Sequence, residues 1–401
     1  MSRPDPSSHP RRPAAQRAQS GFTLVELMIS MVIGLFIVLA LLTLLINVNR
    51  NNSEMTKSNR VIENGRFTLK MLEADASHAG FWGGFLPTFD DLANHTVPAD
   101  VPTAVPDPCL SYGSWNAQYR TNLIGIPLQA YEIPAVVPSP TVPVCASRVV
   151  SPQPSTDVLV VRHLEPCVAG VDPGCAAPTH ADVYFQIARC TNSASANYTT
   201  TTYTLGTSAT TSVTPLHKRD CVTRADPYKL VSHLYYVRNY AVTPGDGIPT
   251  LMRSQFTSAA HQPADALIEG VEGFRMELGL DTVSVSGGPV SFTAAISWAD
   301  PTNHKSPTNR GDGSPDAYVR CTVASPCTAA QLMNAVAVKI YVLVRSENQT
   351  AGYTDTKSYC LASSCATAAA KVGPFNDHYK RHLFTQTVRL TNVSARRETP
   401  P

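Results

Sequence analysis

The sequence predicts one long N-terminal helix followed by a β-rich domain, and three observations predict it. First, an apolar run carries no charge between Glu26 and Arg50, and no proline occurs from there until Pro87. Second, Met55, Ser58, Ile62, Gly65, Leu69, Leu72, Ala76 and Ala79 recur in steps of three and four, which draws a stripe along a helix. Third, from Asp157 onward, short runs rich in β-branched and aromatic residues alternate with turn residues. The 32 prolines, with frequent Thr, Ser and Ala, also favour a loop-rich β domain over a helical bundle.

Residues 1–20 are polar and basic, with Arg3, Arg11, Arg12 and Arg17 ahead of the apolar run. Basic residues before a first span keep that end cytoplasmic and place the chain beyond the span outside. The run to Val48 is long enough to cross a bilayer, since ~20 apolar residues span the hydrocarbon core. No small-residue cleavage pattern comes after it at Asn49-Arg50-Asn51-Asn52, so the span is expected to stay in the mature chain. Beyond it, Lys57, Arg60, Glu63, Lys70 and Glu73 lie opposite the stripe. One helix is therefore expected from about Phe22 to His78, about 85 Å long at 1.5 Å per residue. It ends at the glycines and aromatics of Gly80-Phe81-Trp82-Gly83-Gly84-Phe85.

Glu26 does not suit a plain anchor. A carboxylate in a membrane helix costs roughly 2.5–3.5 kcal/mol at the centre and less near the end, so it calls for a partner. Thr23 is the nearby hydroxyl. A cut after Gly21 would give Phe22 a new amino group able to pair with Glu26 of its own or a neighbouring chain.

The net charge of +2 gives no general reason to expect nucleic acid or an acidic substrate. All ten cysteines lie beyond the span, and none forms a CxxC. In an exported domain they read as disulfides. Proximity suggests Cys321–Cys327 and Cys360–Cys365 as small loops, with Cys167–Cys175, Cys190–Cys221 and Cys109–Cys145 as guesses of the same kind. A zinc site is the rival reading, but it lacks the paired spacing of zinc ribbons.

Residues 87–156 read as a Pro/Ala/Val/Thr-rich extended excursion that holds short strands and is tied by one disulfide, with Cys109 and Cys145 inside it. Strands are expected at 157–162, 181–187, 228–240, 250–256, 266–278, 336–344 and 381–392, with a Thr/Ser-rich loop at 191–215. No HExxH, GxSxG, P-loop or GxGxxG stands at a suitable junction, so neither an enzyme nor a cofactor is expected. The histidines are scattered; His378 and His382 bracket a strand start, and no metal is expected. The oxygen-rich loop Asn309–Asp316 reads as a polar turn, with calcium as the alternative. Lys380, Arg381, Arg389, Arg396 and Arg397 read as a solvated edge and tail rather than a nucleic-acid patch, because no aromatics are interleaved.

Gly21-Phe22-Thr23-Leu24-Val25-Glu26 with its basic leader and apolar run resembles the type IV prepilin cleavage and methylation motif. That resemblance implies that a prepilin peptidase cuts after Gly21 and methylates Phe22, and that Glu26 serves assembly. Gly65-Arg66-Phe67 through His78-Ala79-Gly80-Phe81-Trp82-Gly83, and the later stretch from Ile268, resemble the PilW family of minor pilins. The likeness extends to the J-type pseudopilin and implies an α+β fold, with the long helix packed on antiparallel sheets. Two features depart from it. Thr43 stands where major pilins commonly carry a mid-stem proline, and Gly84 stands where many PilW members carry cysteine.

The domains expected are a cytoplasmic leader 1–21, a stem 22–80 with its span at about 27–48, the excursion 81–156 and a periplasmic β-rich domain 157–401. The function implied is initiation of type IV pilus assembly and incorporation in or near the pilus tip, supporting twitching motility and adhesion. The partners implied are the prepilin peptidase, other minor pilins, the major pilin, the inner membrane and a PilY-type tip adhesin. A J-like pseudopilin of type II secretion is the alternative; a tip adhesin or DNA-binding module is the alternative of another class.

Overall fold

The computed structural model describes residues 21–135, 145–179, 181–207 and 216–398. The expected leader, apart from Gly21, and part of the Thr/Ser-rich loop lie outside these residues. The chain divides after Thr56 into two compact units, although a single helix, α1 (Leu24–His78), runs through the division. In the first unit every large apolar side chain from Leu24 to Val48 is exposed.

In the second unit α1 changes character. Val61, Gly65, Thr68, Leu69, Leu72 and Ala76 are buried, one stripe at helical spacing. The expected stripe is met from Gly65 to Ala79, whereas Met55 and Ile62 are exposed and Val61 takes the inward position.

Eight strands form the first sheet: β1 (Leu128–Glu132), β2 (Asp157–Leu164), β3 (Val183–Ile187), β4 (Tyr203–Thr207), β5 (Tyr228–Arg238), β6 (Thr250–Thr257), β7 (Ala260–His261) and β8 (Asp265–Glu269). The long strand β5 joins them, pairing antiparallel with β2, β3 and β6. A second sheet contains β9 (Val271–Leu280), β12 (Ala317–Val319), β13 (Ala335–Arg345) and β16 (Arg381–Arg389), in the order β12-β9-β13-β16, again antiparallel. The pairs β10 (Trp298–Asp300) with β11 (Lys305–Pro307), and β14 (Tyr359–Cys360) with β15 (Lys371–Val372), are small outliers.

The expected strand 266–278 is two strands. Gly270 sits between them at φ +83°, and a Cβ there would lie 2.7 Å from the Arg345 carbonyl oxygen. The chain crosses from one sheet to the other at this residue.

One core unites the helix and both sheets. Leu72 and Ala76 of α1 share it with Leu159, Val161, Tyr235 and Val237 of the first sheet and with Phe274, Met276, Ile340 and Val342 of the second. Gly65 lets the Phe384 ring of β16 lie directly on the helix, since a Cβ would fall 2.1 Å from it. Polar ties accompany the helix down: Lys57 Nζ donates to Gln349 O (2.9 Å), Asn64 Nδ2 to Glu269 O (3.0 Å) and Asn392 Nδ2 to Ser77 O (3.2 Å).

Residues 81–156 hold a short strand of the expected kind, β1, and beyond that expectation a helix, α2 (Ala117–Gly125), capped by Asn116 accepting from Tyr119 N at 2.7 Å. Their apolar side chains cover the first sheet. Trp82, Trp115, Leu123 and Ile124 pack with Leu164 and Phe185, while Ile133 and Val149 pack with Val158, Val160 and Tyr236. Covered on both faces, β2 is buried at all eight positions. The short helix α3 (Ala329–Met333) leads into β13 behind a capping box of Thr328 and Gln331.

The C-terminal tail is instead helix α4 (Thr391–Arg397), and Arg397 is buried. Its guanidinium donates to Asp90 (3.0 Å) and Asp281 (3.4 Å), to Asn334 Oδ1 and to Met333 O, both at 2.8 Å. Truncating it takes the guanidinium away from two buried carboxylates, Asp90 and Asp281. Arg397→Ala is expected to cost about 3–5 kcal/mol, read as a fall in the denaturation midpoint of the detergent-solubilised chain.

His261 gives a pH signature. It lies between Ser232 Oγ (3.2 Å) and Ser254 Oγ (3.1 Å). Burial, reinforced by Arg162, His233 and Arg148, pushes it down to about 3. The unfolded chain then takes up a proton as pH falls through about 6.5 while the folded chain does not. Stability from this group is complete above that pH and is lost on acidification, by roughly 4 kcal/mol at pH 3.5. His261→Gln is expected to flatten this acid limb in denaturation curves measured across pH.

Candidate functional site: the helix start and a polar clasp on the stem

The residues expected to serve processing and assembly, Gly21, Phe22 and Glu26, lie just before and within the first turn of α1. Thr23 is its N-cap in all but name. Glu26 N donates to Thr23 Oγ1 (3.3 Å), and Glu26 Oε2 accepts from Thr23 N and Thr23 Oγ1, both at 2.9 Å. This reciprocal pair is a capping box, which satisfies backbone donors that a helix start leaves open. Thr23, the nearby hydroxyl that the sequence offered, is therefore the partner of the Glu26 carboxylate within its own helix. Gly21 and Phe22 precede the helix and are exposed, Phe22 at 82%. The positive end of the helix dipole favours an anion here.

A second polar group lies deeper, in the domain unit. Alternation along β2 and β5 turns His163, His233 and Tyr235 to the face that carries Leu159, Val161 and Val237, the face toward α1. Asp75 meets them from the helix. Its Oδ1 accepts from His163 Nε2 (3.0 Å), and its Oδ2 accepts from His233 Nδ1 (2.9 Å) and Tyr235 Oη (2.9 Å). His163 Nδ1 donates to the Leu164 carbonyl at 2.8 Å. Burial pushes the Asp75 carboxyl up, but the hydrogen bonds and charge of His163 and His233 outweigh it and hold Asp75 far below the usual carboxylate range. Burial also raises the Tyr235 phenol, with Asp75 adding to the rise.

Sequence reasoning scattered these histidines and missed the cluster. The signal lay in the stripe: Asp75 stands three residues after Leu72 and four before Ala79, so a carboxylate occupies the packing face.

Five disulfides hold the cysteines in the pairs Cys109–Cys145, Cys167–Cys175, Cys190–Cys221, Cys321–Cys327 and Cys360–Cys365. Closing loops restricts the unfolded chain, which suits a domain with so much irregular structure.

The C-terminal arginines are not a free basic edge. Arg381 is enclosed by Glu272 (2.6 Å), Asp355 (3.0 Å) and Asp377 (2.6 Å), Arg389 pairs with Glu398, and Arg396 reaches Asp90 and Gly80 O. In the loop Asn309–Asp316 the carboxylates are committed to backbone donors. Asp312 accepts from Ser314 N (2.8 Å), and Asp316 from Thr282 N (2.7 Å) and Val283 N (2.8 Å). His378 Nδ1 donates to Tyr353 O, and the His382 ring lies 4.6 Å from Phe384, so these two histidines serve separate contacts.

Two family models match the chain. One is the prokaryotic N-terminal methylation motif, over residues 16–42, and the other is the type IV pilus-assembly protein W, over residues 234–392. The second spans from within β5 to the start of α4 and takes in the whole second sheet. No curated protein matches. Among solved structures the chain is similar to the type IV-like pilin TTHA1219 from Thermus thermophilus, at 13% identity over 59% of this chain and 80% of that one, with a TM-score of 0.25.

Because the Asp75 carboxylate is the sole anion among four groups that face one another, its loss leaves donors stranded in a mostly buried site. Asp75→Ala is expected to destabilise the domain by about 3–5 kcal/mol. Asp75→Asn, which still accepts hydrogen bonds, is expected to cost less; the comparison is made by denaturation of the two variants.

Proposed function

We propose that this chain, which carries the matches of a PilW-family type IV minor pilin, helps initiate type IV pilus assembly and enters the filament at or near its tip. On this reading it is a structural subunit and not an enzyme. A prepilin peptidase cuts after Gly21 and methylates Phe22, with the leader on the cytoplasmic side and the β domain in the periplasm. Other minor pilins, the major pilin and a PilY-type adhesin are its partners, and twitching motility and adhesion are the consequences.

The observation that carries the reading is the first half of α1. From Leu24 to Val48 its large apolar side chains are exposed, so they need lipid or neighbouring stems to leave water. In lipid the helix satisfies its own backbone. In a filament, similar helices take the place of the acyl chains. At its start the capping box holds the Glu26 carboxylate ready for a cation. The methylated amine of Phe22 on a neighbour supplies that cation, and neutralising the pair lowers the cost of burying both charges.

The capping box makes the test sharper, because Glu26 would have two roles. Glu26→Ala removes cap and charge together, and Thr23→Ala weakens the cap while keeping the carboxylate. Surface pili and twitching are expected to be lost or strongly reduced in Glu26→Ala and largely kept in Thr23→Ala. Equal loss in both would reduce Glu26 to a helix cap, and wild-type piliation in Glu26→Ala would sink the assembly role. Gly21→Val is expected to leave the leader attached, seen as a slower band on a denaturing gel.

A further inference from the structure

We propose that Asp75, His163 and His233 form a binding site for one divalent d-block cation, zinc above all, which clamps the end of the stem helix onto the first sheet. The site belongs to the domain unit and does not rest on the pilin reading above.

Three features of the cluster point to an ion. The ligand atoms are gathered: those of Asp75, His163 and His233 all lie within 4.8 Å of one another. Zinc bonds of about 2.0–2.2 Å bring neighbouring donors to roughly 3.3 Å, so small rotations of the two imidazoles close the site. The donor set is that of an intermediate cation. Two imidazoles and one carboxylate suit zinc and its neighbours, whereas calcium and magnesium take oxygen.

The third feature is the support around the ligands. His163 Nδ1 donates to the Leu164 carbonyl, which turns Nε2 toward the Asp75 carboxylate. A backbone carbonyl on the far nitrogen is the usual arrangement behind a metal-bound histidine. Tyr235 Oη donates to the Asp75 carboxylate and orients it in the same way.

Three protein ligands leave a fourth position. Side-chain exposures of 10% for Asp75 and His163 and 16% for His233 leave room for water there and a path for the ion. The ligands come from α1, β2 and β5, so the ion would tie the helix to two adjacent strands. Among the described residues a second group of potential donors, Glu165, Cys167 and Cys175, carries no such inference because its cysteines are bonded to each other.

The test uses the untagged full chain in detergent, stripped with a chelator and titrated with cobalt(II) and then zinc. One equivalent of cobalt is expected to give a visible ligand-field band that one equivalent of zinc removes, and zinc is expected to raise the melting temperature. His233→Gln and His163→Ala are expected to lose both effects while still melting cooperatively. X-ray absorption of the zinc-loaded wild type needs no variant and is expected to show two imidazoles with oxygen completing the shell. The absence of stoichiometric binding by the folded wild type overturns the proposal. So does an unchanged band in both histidine variants, which means an adventitious ion only, or a zinc shell without imidazole.

Discussion

The second half of α1 buries one stripe against two sheets at once, and the domain is arranged around that contact. Neither sheet supplies a complete core by itself on the helix side. Leu72 and Ala76 stand where side chains of β2 and β5 meet those of β9 and β13. Removing the Leu72 side chain beyond Cβ would leave a cavity touching both layers, a class of change that costs about 2–5 kcal/mol. Gly65 shows how close the approach is, since the Phe384 ring occupies the space a side chain would take.

The polar residues at this contact act by matching rather than by number. Arg60 and Glu347 form an ion pair at 2.8 Å, but Arg60 is mostly exposed, and such a pair contributes little. Asp75, largely buried, and Arg381 and Arg397, buried, differ because each meets several partners. Burying a charge is costly unless every lone pair or donor is met. These groups therefore fix how the helix, the sheets and the C-terminal helix fit together. The same logic operates at the helix start, where Thr23 and Glu26 satisfy one another.

The two halves of α1 illustrate one physical rule with opposite outcomes. An amphipathic helix finds its partner within its own chain, and an apolar helix must find it in lipid or in other chains. Thr56 is where one regime gives way to the other. A protein built this way can keep a single domain while its stem exchanges one apolar environment for another.

Local pattern alone determined the stem, its charged Glu26 at the first turn, the β-rich character after Asp157 and the disulfide candidates by proximity. Helix and strand periods are properties of neighbouring residues, so they are written in order along the chain. Only the tertiary structure decided what depends on distant residues meeting. The Pro-rich stretch 81–156 read as loop because its apolar residues are not periodic, yet Trp82, Leu123 and Ile133 cover the sheet from outside. Arg396 and Arg397 read as a tail because their carboxylate partner Asp90 is some three hundred residues away in sequence. Asp75, His163 and His233 come together for the same reason. A stripe position on the helix and alternate positions on two strands share a face only once the helix has docked.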